Sequence, residues 1–334
     1  MDRARATLAW LDPAQLGLVR AVADAAELRI IAAGSPGRAS SVAADLGCRP
    51  LDDLRSAIAT TECDLVLIAG PGAFGAGAGS EDAAAAARAA ERGTRIASLE
   101  PVPASALEFA GGGWGESPSP VLFCPAGGHW RALRESSELL GAFGPPGTVA
   151  VEAWGAPAEG SLGARLFGAL EVIHSLVGEP ETIEASFVCA GATAGIHALP
   201  GESLRGLHGD IAATLRFADG RAATLVASDR AGRWGRSVTL VGPGGRLRID
   251  DAGHEWIGPG GEIVDQTTAE AASGASHAAS AIAHSLTRLL EPALPDSVPQ
   301  DASAVLGIAQ AALLSCRTAQ GESPATIRRM VGAP

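Results

Sequence analysis

Through its first hundred residues the chain alternates short apolar runs with amphipathic stretches, and that alternation constrains the fold more than any other feature. Ala6 to Leu11, Leu28 to Ala33, Asp64 to Ala69 and Arg95 to Leu99 read as strands; Pro13 to about Ala26 and Arg38 to Leu46 read as helices. The run Leu65-Val66-Leu67-Ile68 is apolar at every position, the pattern of a strand covered on both faces. Such alternation builds a parallel, doubly wound sheet with helices on either side.

From Asp210 to Gln266 the grammar changes. Short alternating runs are joined by Asp219-Gly220, Gly244-Gly245 and Gly260-Gly261, which predicts an antiparallel meander. Leu162, Leu166, Leu170, Ile173 and Val177 form one stripe of a helix before it, and helices near His277 to Leu290 and Ala302 to Thr318 follow it. The expected fold is therefore α/β: a Rossmann-like doubly wound domain over residues 1–120, then an α+β domain over 121–334 with a large, mostly antiparallel open sheet. The last helix, 302–318, is expected to pack back on the first domain.

Composition narrows the chemistry. The 334 residues carry a net charge of −12, which argues against a general grip on nucleic-acid phosphates or anionic lipid. All 25 basic residues are Arg and there is no Tyr, so lysine amines and phenols are excluded as reacting groups. The five cysteines are odd in number and widely spaced, as expected of reduced thiols. No histidine has metal-ligand spacing with a second ligand, so no metal site is expected. The run after Met1-Asp2-Arg3 is cut short by Asp12-Pro13, too early for a signal peptide or membrane span, and the expectation is a cytoplasmic protein.

The order and spacing of several short signals resemble the Gfo/Idh/MocA oxidoreductases, over nearly the whole chain. They are Pro36-Gly37-Arg38 opening a helix that closes at Asp45-Leu46-Gly47; Asp52-Asp53-Leu54; Asp64 to Ala69 with Pro71; Arg92-Gly93 before the strand ending in Pro101; Gly178-Glu179-Pro180; and Arg216-Phe217-Ala218-Asp219-Gly220. The resemblance implies a nicotinamide-dependent dehydrogenase of sugars or cyclitols, with hydride transfer at the domain cleft.

Position by position, the implied machinery is altered. Leu11-Asp12-Pro13-Ala14-Gln15 stands where glycines would let a pyrophosphate approach a helix N-terminus. Ala33-Gly34-Ser35 replaces the acidic residue for the adenosine ribose, and Ser35 with Arg38 would instead suit a 2′-phosphate. The lysine of the implied Glu-Lys-Pro signature is Glu100, and the implied Asp and His on the helix before Gly178 are Ala164 and Gly168. Glu100, Glu171 and His174 remain as candidate acids and bases; Asp12, Ser35, Arg38 and Pro71 as cofactor contacts; and His129, Arg131 and Arg165 as cleft residues.

Three functions follow from this pattern. The first is an oxidoreductase-fold protein without nicotinamide cofactor or hydride transfer, acting as a partner subunit or binding a small polar ligand. The second is an atypical NADP-dependent oxidoreductase of a sugar, cyclitol or related natural product. The third is a cofactor-free lyase or isomerase using Glu100, Glu171 and His174. Because Ala212 and Thr214 alternate with Ile211, Ala213 and Leu215, the outer sheet face is nearly uncharged, and a homo-oligomer or a hetero-oligomer with an active relative is expected through it.

Overall fold

The computed structural model describes residues 4–76, 81–114, 120–125, 127, 130–189, 199–268, 276–291 and 301–332. The first part of the chain runs β1 (Arg5–Trp10), α1 (Leu16–Ala25), β2 (Leu28–Gly34), α2 (Ala39–Leu46), β3 (Arg49–Leu51), α3 (Leu54–Thr60), β4 (Leu65–Ile68), α4 (Glu81–Glu91), β5 (Arg95–Ser98), α5 (Ala106–Gly111) and β6 (Leu122–Phe123). Its six strands form one parallel sheet in the order β3-β2-β1-β4-β5-β6. All four residues of β4 are buried, because the strand lies between β1 and β5 with helices on both sides.

The second part runs α6 (Arg131–Glu135), α7 (Ser137–Phe143), β7 (Thr148–Trp154), α8 (Leu162–Val177), β8 (Thr182–Cys189), β9 (Gly209–Arg216), β10 (Ala222–Ser228), β11 (Gly235–Gly242), β12 (Gly245–Asp250), β13 (Gly253–Ile257), β14 (Ile263–Thr268), α9 (Ser276–Leu290), α10 (Ala302–Thr318) and α11 (Pro324–Val331). Eight strands form the second sheet in the order β14-β13-β12-β11-β7-β10-β9-β8, antiparallel except for the β7–β10 pair. The expected α/β fold with a second, mostly antiparallel sheet is thus the observed one.

On β9 and β10, Ile211, Ala213, Leu215, Ala223, Leu225 and Ala227 are buried, whereas Ala212, Thr214, Thr224 and Val226 are exposed. The buried face covers α8, and Gly163 in the first turn of α8 lets the segment before β9 come close: a Cβ there would strike the backbone carbonyl of Leu204. α8 is buried on nearly every side, so the leucine stripe read from the sequence is only half of its apolar surface.

The closing helices return to the first domain. α9 packs back on the first domain, with Ala279, Ile282 and Leu286 joining the core of α1 and β4. α10 packs mainly on α8 and β8 and meets α5 through Gln310, whose Oε1 accepts from the Ala106 N–H at 3.1 Å. The helix 302–318 is apolar around most of its circumference, which suits a position between elements of its own domain. No helix among the described residues is long and apolar enough to cross a membrane.

Candidate functional site

The turn after β1 is closed on itself. Asp12 Oδ1 accepts from the Ala14 N–H at 2.9 Å, Gln15 Oε1 accepts from the Asp12 N–H at 3.0 Å, and the Asp12 carbonyl accepts from the Gln15 N–H at 2.8 Å. Pro13 has no N–H. The Gln15 Nε2 also donates to the Ala69 carbonyl at 2.9 Å, which ties the turn to the end of β4. Residues Pro157–Glu159 of the second domain pack over it. Every N–H that a helix N-terminus would offer an anion is committed internally.

Glu100, just past β5, joins this edge to α8. Its carboxylate accepts from the Ser161 N–H at 2.8 Å and from the Ser161 hydroxyl at 2.5 Å, and Ser161 in turn caps α8 through the Ala164 N–H at 3.1 Å. Burial pushes the Glu100 carboxyl above the usual carboxylate range; the Ser161 hydrogen bonds and the charges of Arg165 and His208 oppose it. Arg165, one turn into α8, donates to the Ala156 carbonyl at 2.8 Å and lies 4.0 Å from Glu159. Burial lowers its pKa.

Beside this group stands His208. Its Nδ1 is 2.7 Å from Asp229 Oδ2, and the other Asp229 oxygen accepts from the Gly209 N–H at 2.9 Å. The Asp229 side chain is 1% exposed and the His208 side chain 52% exposed. A fixed carboxylate thus orients an imidazole whose other edge reaches solvent, an arrangement that transfers protons.

A narrow slot of about 40 Å³ opens between α8 and β7, lined by Leu99, Phe123, Val172 and Trp234 and by the charged Glu152, Glu159, Arg165 and Arg236. Ala164 and Gly168, the two positions from which the implied acid–base pair is missing, both line it.

The other candidates fall in different places. Glu171 is buried and accepts from the Gly127 N–H at 2.6 Å, which fastens α8 to the segment after β6, while His174 is partly exposed a turn further on. Ser35 is buried with no partner for its hydroxyl, Arg38 is exposed before α2, and Pro71 is buried in the turn after β4. Arg131 is exposed and paired with Glu135 at 2.7 Å, and His129 lies outside the described residues. Glu100 and Arg165 are therefore brought together, and the structure adds His208 and Asp229, 21 residues apart in sequence. Only the β9–β10 hairpin, which sets Asp210 opposite Ser228, makes them neighbours. The described residues hold no cluster of three or more His, Cys, Asp or Glu side chains suited to a metal ion.

This fold is that of the NAD-binding oxidoreductases of the Gfo/Idh/MocA type. A levoglucosan dehydrogenase solved with NADH and levoglucosan shares it at a TM-score of 0.67 and 15% identity, over 95% of this chain and 98% of that one. An oxidoreductase from Sinorhizobium meliloti matches at a TM-score of 0.69 and 18% identity, over 96% and 99% of the two chains. The UDP-N-acetylglucosamine 3-dehydrogenase GnnA from Acidithiobacillus ferrooxidans matches at 0.61 and 20% identity, over 98% and 100%. No family model matches the sequence, and neither does any curated protein.

Two neighbours correct the expectation of a fold without cofactor: an NAD-binding oxidoreductase from Klebsiella pneumoniae shares it, and the levoglucosan dehydrogenase was solved with NADH. The misfit is local. The β1–α1 turn as it stands has its Asp12, Ala14 and Gln15 N–H groups committed internally and would face a pyrophosphate with the Asp12 carboxylate.

Proposed function

We propose that this chain is an oxidoreductase-like protein that binds a small ligand at the domain junction and moves a proton there with His208. The observation that carries this reading is the 2.7 Å contact of a half-exposed imidazole with a fully buried carboxylate. Asp229 holds the Nδ1 edge, which leaves Nε2 to accept a proton from the ligand and return it. Glu100 and Arg165 act as positioning residues: they fix the start of α8, and their charges lie within electrostatic reach of His208 and Asp229, respectively. The NADH of the levoglucosan dehydrogenase supports a nicotinamide nucleotide as a ligand of the first domain's strand ends.

The test is solvent-deuterium exchange. The protein is incubated in D2O with a panel of hexuloses, inososes and cyclic ketones, and deuterium at the carbon beside the carbonyl is read by mass spectrometry. Exchange that falls at least about 100-fold in His208→Gln supports the reading, as general acid–base groups contribute on that scale. Exchange equal in both proteins refutes it.

We also propose that the chain associates through the outer face of β9 and β10. Ala212, Thr214, Thr224 and Val226 are exposed there and uncharged, which supports a covered surface. A partner-subunit role rests on the same face.

A further inference from the structure

Trp130 and Arg236 line the narrow slot and also a second, wider cleft of about 680 Å³, bounded by α6, the β12–β13 turn and α9. That is the volume of a small-molecule site. None of Glu100, Ser161, His208 and Asp229 lines it.

The helix α9 has two faces. Ala279, Ile282 and Leu286 are buried in the core of the first domain, whereas His277, Ser280, His284 and Thr287, spaced three and four residues apart, line the cleft. His254 on β13 lines it as well, so three of the chain's seven histidines meet here.

The charges decide the sign of a ligand. Asp251 Oδ1 accepts from the Trp130 Nε1–H at 2.7 Å and from Arg236 at 3.2 Å, and its Oδ2 accepts from the Arg236 N–H at 3.0 Å, so this carboxylate is already satisfied. Glu135 is paired with Arg131 at 2.7 Å on the exposed surface of α6, a pair weak enough to let the guanidinium turn to a ligand. Around His284 the cations prevail: burial, then Arg288, Arg131 and Arg134, hold its imidazole below the usual range, with Glu135 opposing. A cationic ligand would meet the same arginines, whereas an anion offsets them and accepts from the imidazole and hydroxyl groups. These donors stand on three elements: Arg131 on α6, His254 on β13, and the polar face of α9. A planar carboxylate offers two oxygens to such a set, and a tetrahedral phosphoryl group offers three.

We propose that this cleft binds a phosphoryl group, either as free phosphate or as the phosphate of a small ester. Arg131 supplies charge, and α9 supplies hydrogen-bond donors. The proposal goes beyond proton transfer by His208 and does not depend on it.

Isothermal titration calorimetry on the whole chain near pH 7 tests this with four probes: inorganic phosphate, glucose 6-phosphate, glucose and glutarate. The expected result is saturable binding of at least one phosphoryl probe with Kd below about 1 mM, and at least tenfold weaker binding of glucose and glutarate. Tighter binding of glucose 6-phosphate than of phosphate assigns an ester as the ligand; equal or weaker binding assigns free phosphate. Arg131→Gln, on the exposed surface of α6, is expected to weaken binding fivefold or more. His284→Leu is expected to do the same, and the two variants together keep the test decisive if the half-buried one does not fold. Arg329→Gln, an exposed arginine on α11 outside the cleft, is expected to bind as the parent does. Binding of neither phosphoryl probe, equal or tighter binding of glucose or glutarate, binding unchanged in every cleft variant that folds, or an equal loss in Arg329→Gln overturns the proposal.

Discussion

The carboxylate of Glu100 receives both the backbone N–H and the hydroxyl of Ser161, at 2.8 and 2.5 Å, so one side chain from the end of the parallel sheet caps the helix that underlies the antiparallel one. A lysine at position 100 would present donors to donors. Glutamate here is therefore a structural coupling between domains as well as a change of charge in the cleft.

A pH dependence follows from it. Burial holds the folded-state pKa of Glu100 above its ordinary 4.5, so between those values the folded protein binds more protons than the unfolded chain. The contribution of this group to stability is greatest at low pH and declines as pH rises from about 4.5 through the folded pKa. Glu100→Gln should flatten that part of the profile, as read from urea midpoints across the acid-to-neutral range.

Glu100→Lys should destabilise the fold by about 3–5 kcal/mol, because it sets an ammonium against the N-terminus of α8 and near Arg165. It should also gain no NAD(P)-linked oxidation of hexoses or inositols, since Ala164 and Gly168 still offer no acid or base. Chemical denaturation and cofactor absorbance check the two halves separately.

Asp229→Ala removes the acceptor of the Gly209 N–H together with the anchor of His208. A loss of about 1–3 kcal/mol is expected from the orphaned buried donor. The His208 ring resonances should move toward those of a freely rotating, solvated imidazole by NMR, because nothing then fixes its orientation.

Gln15→Gly frees the Asp12 N–H and unties the turn from Ala69. NADH should bind the variant about tenfold more tightly than the parent, a gain of about 1.4 kcal/mol. Identical affinities by fluorescence titration would show that the turn does not govern nucleotide binding.

Ala212→Arg with Val226→Arg places charge on the outer sheet face, where both residues are exposed. Light scattering at micromolar concentration should give an oligomer for the parent and a monomer for the double variant, with the melting temperature little changed. A monomeric parent would remove the proposed interface.

Much of the architecture was legible because it is periodic. The apolar run of β4, the glycine turns between β9 and β14, and the alternation of Ile211, Ala213 and Leu215 with Ala212 and Thr214 each state locally which face is buried. β7 was not legible as a member of the second sheet: its place between β10 and β11 depends on a crossover that leaves no local mark. That Ser276–Leu290 also returns to the first domain was not legible, because its apolar stripe resembles that of 302–318 and only packing gives each its neighbours.

By itself the sequence determined the inventory of reacting groups: arginine without lysine, no phenol, glutamate at position 100, and Ala164 and Gly168 where proton-moving side chains were implied. These are matters of covalent identity, which no fold can alter. Only the tertiary structure decided which groups meet. His208 and Asp229 come within 2.7 Å because hairpin register aligns the ends of β9 and β10, Glu100 reaches Ser161 because two domains dock, and Gln15 turns inward to satisfy a backbone N–H. Hydrogen bonds act over about 3 Å, whereas sequence separation carries no distance, so the pairing of these groups is written in the packing alone.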